Sequence, residues 1–139
     1  MLISTFLVED KADIRTTLVE AMEEIAPLKF IGHADGEASA RQWLGANDAD
    51  WQLAIVDLFL TDGSGFGVLK DCQRRKPNQK VVVLTNYLHQ TISNRCLQLG
   101  ADKVFDKSTD LEQLVAFCQA HAASLESLGS QPGPGDVMH

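Results

Sequence analysis

Three carboxylates, one hydroxyl and one ammonium in this sequence each stand just behind a short apolar run. Glu9 and Asp10 follow Leu7-Val8, Asp57 follows Ile55-Val56, Thr85 follows Val83-Leu84, and Lys107 follows Val104-Phe105-Asp106. Singly, each has an ordinary reading: an acid after a strand is commonly a loop residue or helix cap, and a Thr there is β-propensity. Together they define a chemistry. Clustered carboxylates repel and raise one another's pKa unless a cation compensates. Hard oxygen ligands in this number suit Mg²⁺, which binds through one or two carboxylates and keeps positions open for water and phosphate. An ammonium and a hydroxyl opposite that ion would clamp a phosphoryl group. A carboxylate held there can itself be the nucleophile, forming an acyl phosphate.

These residues meet only if the runs are parallel strands ending at a common edge. The runs are Leu2–Val8, Phe30–Gly32 with its flanks, Leu53–Val56, Val81–Leu84 and the weaker Lys103–Asp106. Their near-continuous Val/Ile/Leu content suits strands buried on both faces of a parallel sheet. Helical spacing fills the gaps. Ile14, Leu18, Ala21, Met22 and Ile25 form one apolar stripe, and Leu111, Leu114, Val115, Cys118, Ala122 and Leu125 form another. Ser108 or Thr109 is the expected N-cap of that last helix. Ala38–Leu44, Phe66–Cys72 and Thr91–Leu99 predict three shorter helices, with Pro77 and Gly100 as stop signals. Strand and helix alternate five times, which predicts an α/β fold: a doubly wound, five-stranded parallel sheet with helices on both faces. In such sheets the reactive crevice lies beyond the carboxyl ends of the strands.

The 139 residues amount to one domain. A hydrophobic content of 45% with 22% charged residues excludes a wholly disordered chain. The net charge of -7 argues against nucleic-acid binding by bulk electrostatics, and no apolar run approaches a membrane span. Cys72, Cys96 and Cys118 are odd in number and widely spaced, which suits reduced core thiols. With no leader-like segment at the start, a soluble cytoplasmic protein is expected. The domain is expected over 1–125, followed by a flexible Pro/Gly-rich tail over 126–139. Arg74-Arg75-Lys76 with Lys80 reads as favourable charge at a helix C-terminus rather than as a contact patch. Trp43 and Trp51 read as packing residues.

Over roughly residues 2–125 the chain resembles the CheY-like receiver domain of two-component response regulators, a (βα)5 flavodoxin-like fold. The resemblance rests on Phe6-Leu7-Val8-Glu9-Asp10, Ile55 to Gly65, Val83-Leu84-Thr85-Asn86 and Gly100 to Lys107, in the right order. It implies that Asp57 is the phosphoacceptor, taking a phosphoryl group from a sensor histidine kinase or a histidine phosphotransfer protein. It implies Mg²⁺ held by Asp10, Asp57 and the backbone carbonyl of Phe59, with Glu9 acting mostly through water. Lys107 and Thr85 would contact the phosphoryl oxygens. A downstream protein target, reached by protein–protein contact, would read the result. Whether phosphorylation also pairs two copies is left open, as is a stand-alone regulator against the amino-terminal part of a longer one.

Several positions depart from that family's pattern. Thr61 and Ser108 stand where prolines are common, so a less rigid loop after Asp57 is expected and the isomer of the Lys107–Ser108 bond is open. Val104 occupies the switch position where receivers often carry a ring, and Phe105 should point to the opposite face. Coupling from Asp57 to the outer surface would then run through Thr85 and the fourth helix alone, or be weak. Phe59 and Tyr87 would flank the phosphoryl group and slow its loss. Two other classes compete. A haloacid-dehalogenase-type phosphatase also uses an Asp nucleophile, Mg²⁺ and Lys, but wants an acid two residues beyond it, where Phe59 stands. A constitutive receiver-like interaction module would keep the fold without the response.

Overall fold

The computed structural model describes residues 1–86 and 88–129. Strands and helices alternate without exception: β1 (Ile3–Val8), α1 (Ala12–Ile25), β2 (Leu28–Ala34), α2 (Glu37–Ala46), β3 (Leu53–Val56), α3 (Gly65–Cys72), β4 (Lys80–Thr85), α4 (Gln90–Gln98), β5 (Lys103–Asp106) and α5 (Leu111–Gly129). All four strand pairings are parallel, in the order β2-β1-β3-β4-β5. The chain therefore starts near the middle of the sheet, winds one way to β2, then reverses through β3 to β5. That reversal opens a crevice above β1 and β3, the place where doubly wound sheets bind ligands.

Two cores sandwich the sheet. On one face Phe6, Val8, Ala54, Val56, Val81 and Val83 pack with Ala40, Leu44, Val68, Leu69 and Cys96 of α2, α3 and α4. On the other, Ile3, Leu7, Leu53, Ile55, Val82 and Leu84 meet Met22 of α1 and Leu114, Cys118 and Ala122 of α5. Successive residues of β1, β3 and β4 thus serve opposite cores, and continuous apolar runs are what two-sided burial demands. Trp43 stacks on Phe6 with ring centroids 4.1 Å apart. Gly32 makes this possible, since a Cβ there would lie 2.4 Å from the indole nitrogen. The three thiols are buried, and burial pushes them up to about 12 for Cys72 and Cys118 and about 11 for Cys96.

Some expectations need correction. The α1 stripe is only partly internal: Met22 is fully buried, whereas Ala21 and Ile25 are exposed. For Ala21 the reason is a cleft of about 320 Å³ between α1 and α5, lined also by Ile14, Leu18, Leu84 and Leu111, which leaves that part of the stripe open. Helix α5 starts at Leu111, behind Asp110, so Ser108 and Thr109 belong to the preceding turn. It also continues to Gly129, so residues 126–129 extend the helix instead of opening the tail, and 130–139 lie outside the described residues. Pro77 does not stop α3, which ends at Cys72, while Gly100 does close α4 in a left-handed conformation with φ of 102°. Among the described residues there is no cis peptide bond, so Lys107–Ser108 is trans.

Candidate functional site: an acidic crevice at the carboxyl edge of the sheet

Register brings the ends of the central strands level. Thr5 to Val8 lie beside Leu53 to Val56, and Val56 lies beside Val83. The residues that follow, Glu9 and Asp10, Asp57, and Thr85, therefore emerge at one edge. Lys107 follows β5 directly, and its amide donates to the carbonyl of Thr85 at 3.0 Å.

Four of the expected side chains converge. Lys107 Nζ donates to Asp57 Oδ2 at 3.0 Å and to Glu9 Oε1. Glu9 is 1% exposed and Asp57 8%, so the ammonium compensates two largely buried charges. Burial by itself would push the Lys107 pKa down. The Glu9 and Asp57 carboxylates outweigh that and hold it above its ordinary value. Among the described residues, Glu9, Asp10 and Asp57 each bring a carboxylate oxygen within 4.8 Å of the other two. An all-oxygen donor set of this charge fits a hard divalent cation such as Mg²⁺.

The remaining expected residues are placed as follows. Thr85 is fully buried at the end of β4. The Phe59 amide donates to Asp57 Oδ1 at 3.3 Å, and its ring is 43% exposed. It borders an apolar recess with Leu88, His89 and Ile92. Val104 pairs with Val83 and packs on the α3/α4 side of the sheet, while Phe105 faces the α5 side against Phe117, as strand alternation requires. Tyr87 lies outside the described residues.

Sequence reading missed three supports. Arg15, on the first turn of α1, donates to the Glu9 carbonyl at 2.8 Å. Glu37, opening α2, accepts from the Ser64 amide at 2.8 Å and so ties α2 to the loop after β3. Thr61 is the most informative. Its amide and its hydroxyl both donate to Asp10 Oδ2, at 3.0 and 2.5 Å, and the hydroxyl bond holds the Asp10 carboxyl below its ordinary pKa. The expectation that Thr61 loosens this loop is therefore reversed: a proline would lack both donors, whereas Thr61 tethers the loop to Asp10. The substitution itself was visible in the sequence, but its partner 51 residues away was not. Below the loop, Gly65 lets α3 begin against the Asp57 backbone, since a Cβ there would meet the Asp57 carbonyl oxygen at 2.3 Å.

A five-stranded doubly wound sheet with a lysine-bridged acidic crevice at its switch point defines the class: an α/β domain of the kind that binds ligands beyond the carboxyl ends of its strands. The family follows from sequence comparison: residues 5–119 match the response regulator receiver domain, and the chain belongs to that family. It is 28% identical over 133 residues to the photosynthetic apparatus regulatory protein RegA of Rhodobacter capsulatus, covering 96% of this chain and 70% of that protein. Among solved structures, a LuxR-family two-component response regulator from Aurantimonas superimposes with a TM-score of 0.77 at 17% identity, covering 89% of this chain and 87% of that one. A Burkholderia pseudomallei response regulator, solved with a phosphorylated aspartic acid and a calcium ion, superimposes with a TM-score of 0.69 at 23% identity, over 93% of this chain and 75% of that one. Both structural likenesses concern the fold. Receiver domains are signalling domains that work with histidine kinases. Among the described residues no helix is long and apolar enough to cross a membrane.

Proposed function

We propose that Asp57 accepts a phosphoryl group from a sensor histidine kinase or histidine phosphotransfer protein in the cytoplasm, and that the modified domain signals by contact with a downstream protein. A carboxylate oxygen of Asp57 forms the new bond to phosphorus while the phosphorus–nitrogen bond to the donor histidine breaks, its electron pair returning to the imidazole. The observation that carries this reading is the Lys107 ammonium set between Glu9 and Asp57, with Asp10 alongside. Glu9, Asp10, Asp57 and the Phe59 carbonyl would hold Mg²⁺, which supplies charge neutralisation for in-line phosphoryl transfer. Lys107 orients the nucleophile and would pair with the incoming oxygens, and Thr85 would hydrogen-bond them. With Val104 at the switch position, the response would pass through Thr85 and α4 as a population shift.

Incubation with acetyl phosphate and Mg²⁺, followed by intact mass, tests the reading. Addition of one phosphoryl group to the wild type and none to Asp57→Asn supports it. Sustained turnover of small phosphate esters would instead favour a phosphatase, which the apolar Phe59, incapable of donating a proton, disfavours.

A further inference from the structure

Asp10 reaches the crevice with one of its two oxygens already engaged. Oδ2 accepts from the Thr61 amide at 3.0 Å and from the Thr61 hydroxyl at 2.5 Å. A carboxylate oxygen has two lone-pair directions, so this pair of donors saturates it. Oδ1 is left as the oxygen able to take an ion. The two bonds also fix the plane of the carboxylate, because both donors come from one residue on a loop that is itself anchored. Ser64 of that loop is held by Glu37, and Gly65 is packed on the Asp57 backbone.

Magnesium and calcium differ in what they ask of a carboxylate. Mg²⁺ demands near-octahedral geometry with single oxygens at about 2.0–2.1 Å, whereas Ca²⁺ takes six to eight oxygens at about 2.3–2.6 Å and readily accepts both oxygens of one carboxylate. We infer that Thr61 is a specificity-determining positioning residue: by occupying Oδ2 of Asp10 it restricts that carboxylate to one-oxygen ligation and so favours Mg²⁺ over Ca²⁺. This inference rests on the metal reading proposed above and deepens it.

The test is calorimetric titration of the metal-free protein with MgCl2 and separately with CaCl2, for the wild type, Thr61→Val and Thr61→Ser. Thr61 is exposed, so neither substitution threatens the fold. Val keeps the shape and the amide bond and removes the hydroxyl; Ser keeps both donors. Losing a hydrogen bond to a charged group is expected to lower the Mg²⁺-over-Ca²⁺ preference about tenfold in Thr61→Val. The preference in Thr61→Ser should stay near the wild-type value. A merely structural role would weaken both ions alike and leave their ratio unmoved. An equal ratio in wild type and Thr61→Val, or a Ser variant that behaves like Val, overturns the inference while leaving the metal site intact. No uptake of either ion by the wild type overturns the metal reading and this inference with it.

Discussion

Replacing Lys107 by Met tests the electrostatic logic of the crevice. The substitution keeps the aliphatic stem and removes the charge that compensates Glu9, 1% exposed, and Asp57. At an effective dielectric near 20, an ion pair at 3.0 Å is worth about 5 kcal/mol before desolvation. Returning the ammonium to water gives part of that back, but Glu9 stays inside the protein. Breaking a buried pair while one partner remains costs about 3–5 kcal/mol. With the Lys107 side chain 14% exposed, the lower end applies, about 3 kcal/mol. In a domain of this size that is a fall in Tm of about 10 °C at pH 7.

The cycle Lys107→Met, Glu9→Gln and the double variant should show that neutralising Glu9 restores most of the loss. The pH dependence provides a second reading. The native pKa of Lys107 is raised, so its contribution is present below the unfolded-state value near 10.4 and disappears as pH climbs through the higher native one. Wild type and Lys107→Met should accordingly converge in stability only above about pH 10.4. Thermal melts followed by circular dichroism suffice. A Lys107→Met variant melting within about 2 °C of the wild type at pH 7 would refute the reasoning, because Glu9 and Asp57 would then need no cation.

Three further outcomes are expected. Gly65→Ala should cost about 3 kcal/mol in urea unfolding and slow phosphoryl uptake from acetyl phosphate, because the new Cβ would lie 2.3 Å from the Asp57 carbonyl and 2.6 Å from Leu58 Cα; Gly45→Ala, with open space around it in α2, should be neutral to slightly stabilising. His121 is buried on α5 with Nε2 2.7 Å from the Gln52 carbonyl, and burial lowers its pKa, so the unfolded chain binds the extra proton first: stability is full above about pH 6.5, falls as pH drops below it, and His121→Gln should flatten that slope in melts between pH 7.5 and 5.5. Phe59→Asn should shorten the lifetime of the phosphorylated form several-fold, as read by loss of the added mass after the donor is removed, since an amide admits and orients water where the ring excludes it; an unchanged lifetime would leave Phe59 as a surface packing residue.

Much of this protein is local in its sequence. The runs at Leu2–Val8, Leu53–Val56 and Val81–Leu84 read as doubly buried strands because their apolar positions from Ile3 onward meet a core, on one face or the other. Once those runs are parallel strands, Glu9, Asp10, Asp57, Thr85 and Lys107 must share an edge, and they do. Phe105 turned away from Val104 by the simple period of a strand.

What sequence periodicity left open was everything set by partners distant along the chain. Strand order is one example: alternation requires crossovers but does not say that β1 lies between β2 and β3. The exposed side of α1 is another, since its stripe is helical whether or not a neighbour covers it, and the gap to α5 is decided by how those two helices pack on the sheet. Thr61 shows the point at the site itself. Its residue type suggests a softer loop, and only the tertiary arrangement, which carries Asp10 to it across 51 residues, turns it into two hydrogen bonds on a single carboxylate oxygen. Burial patterns are written by each segment's own side chains, whereas hydrogen-bond partners depend on where the other segments arrive.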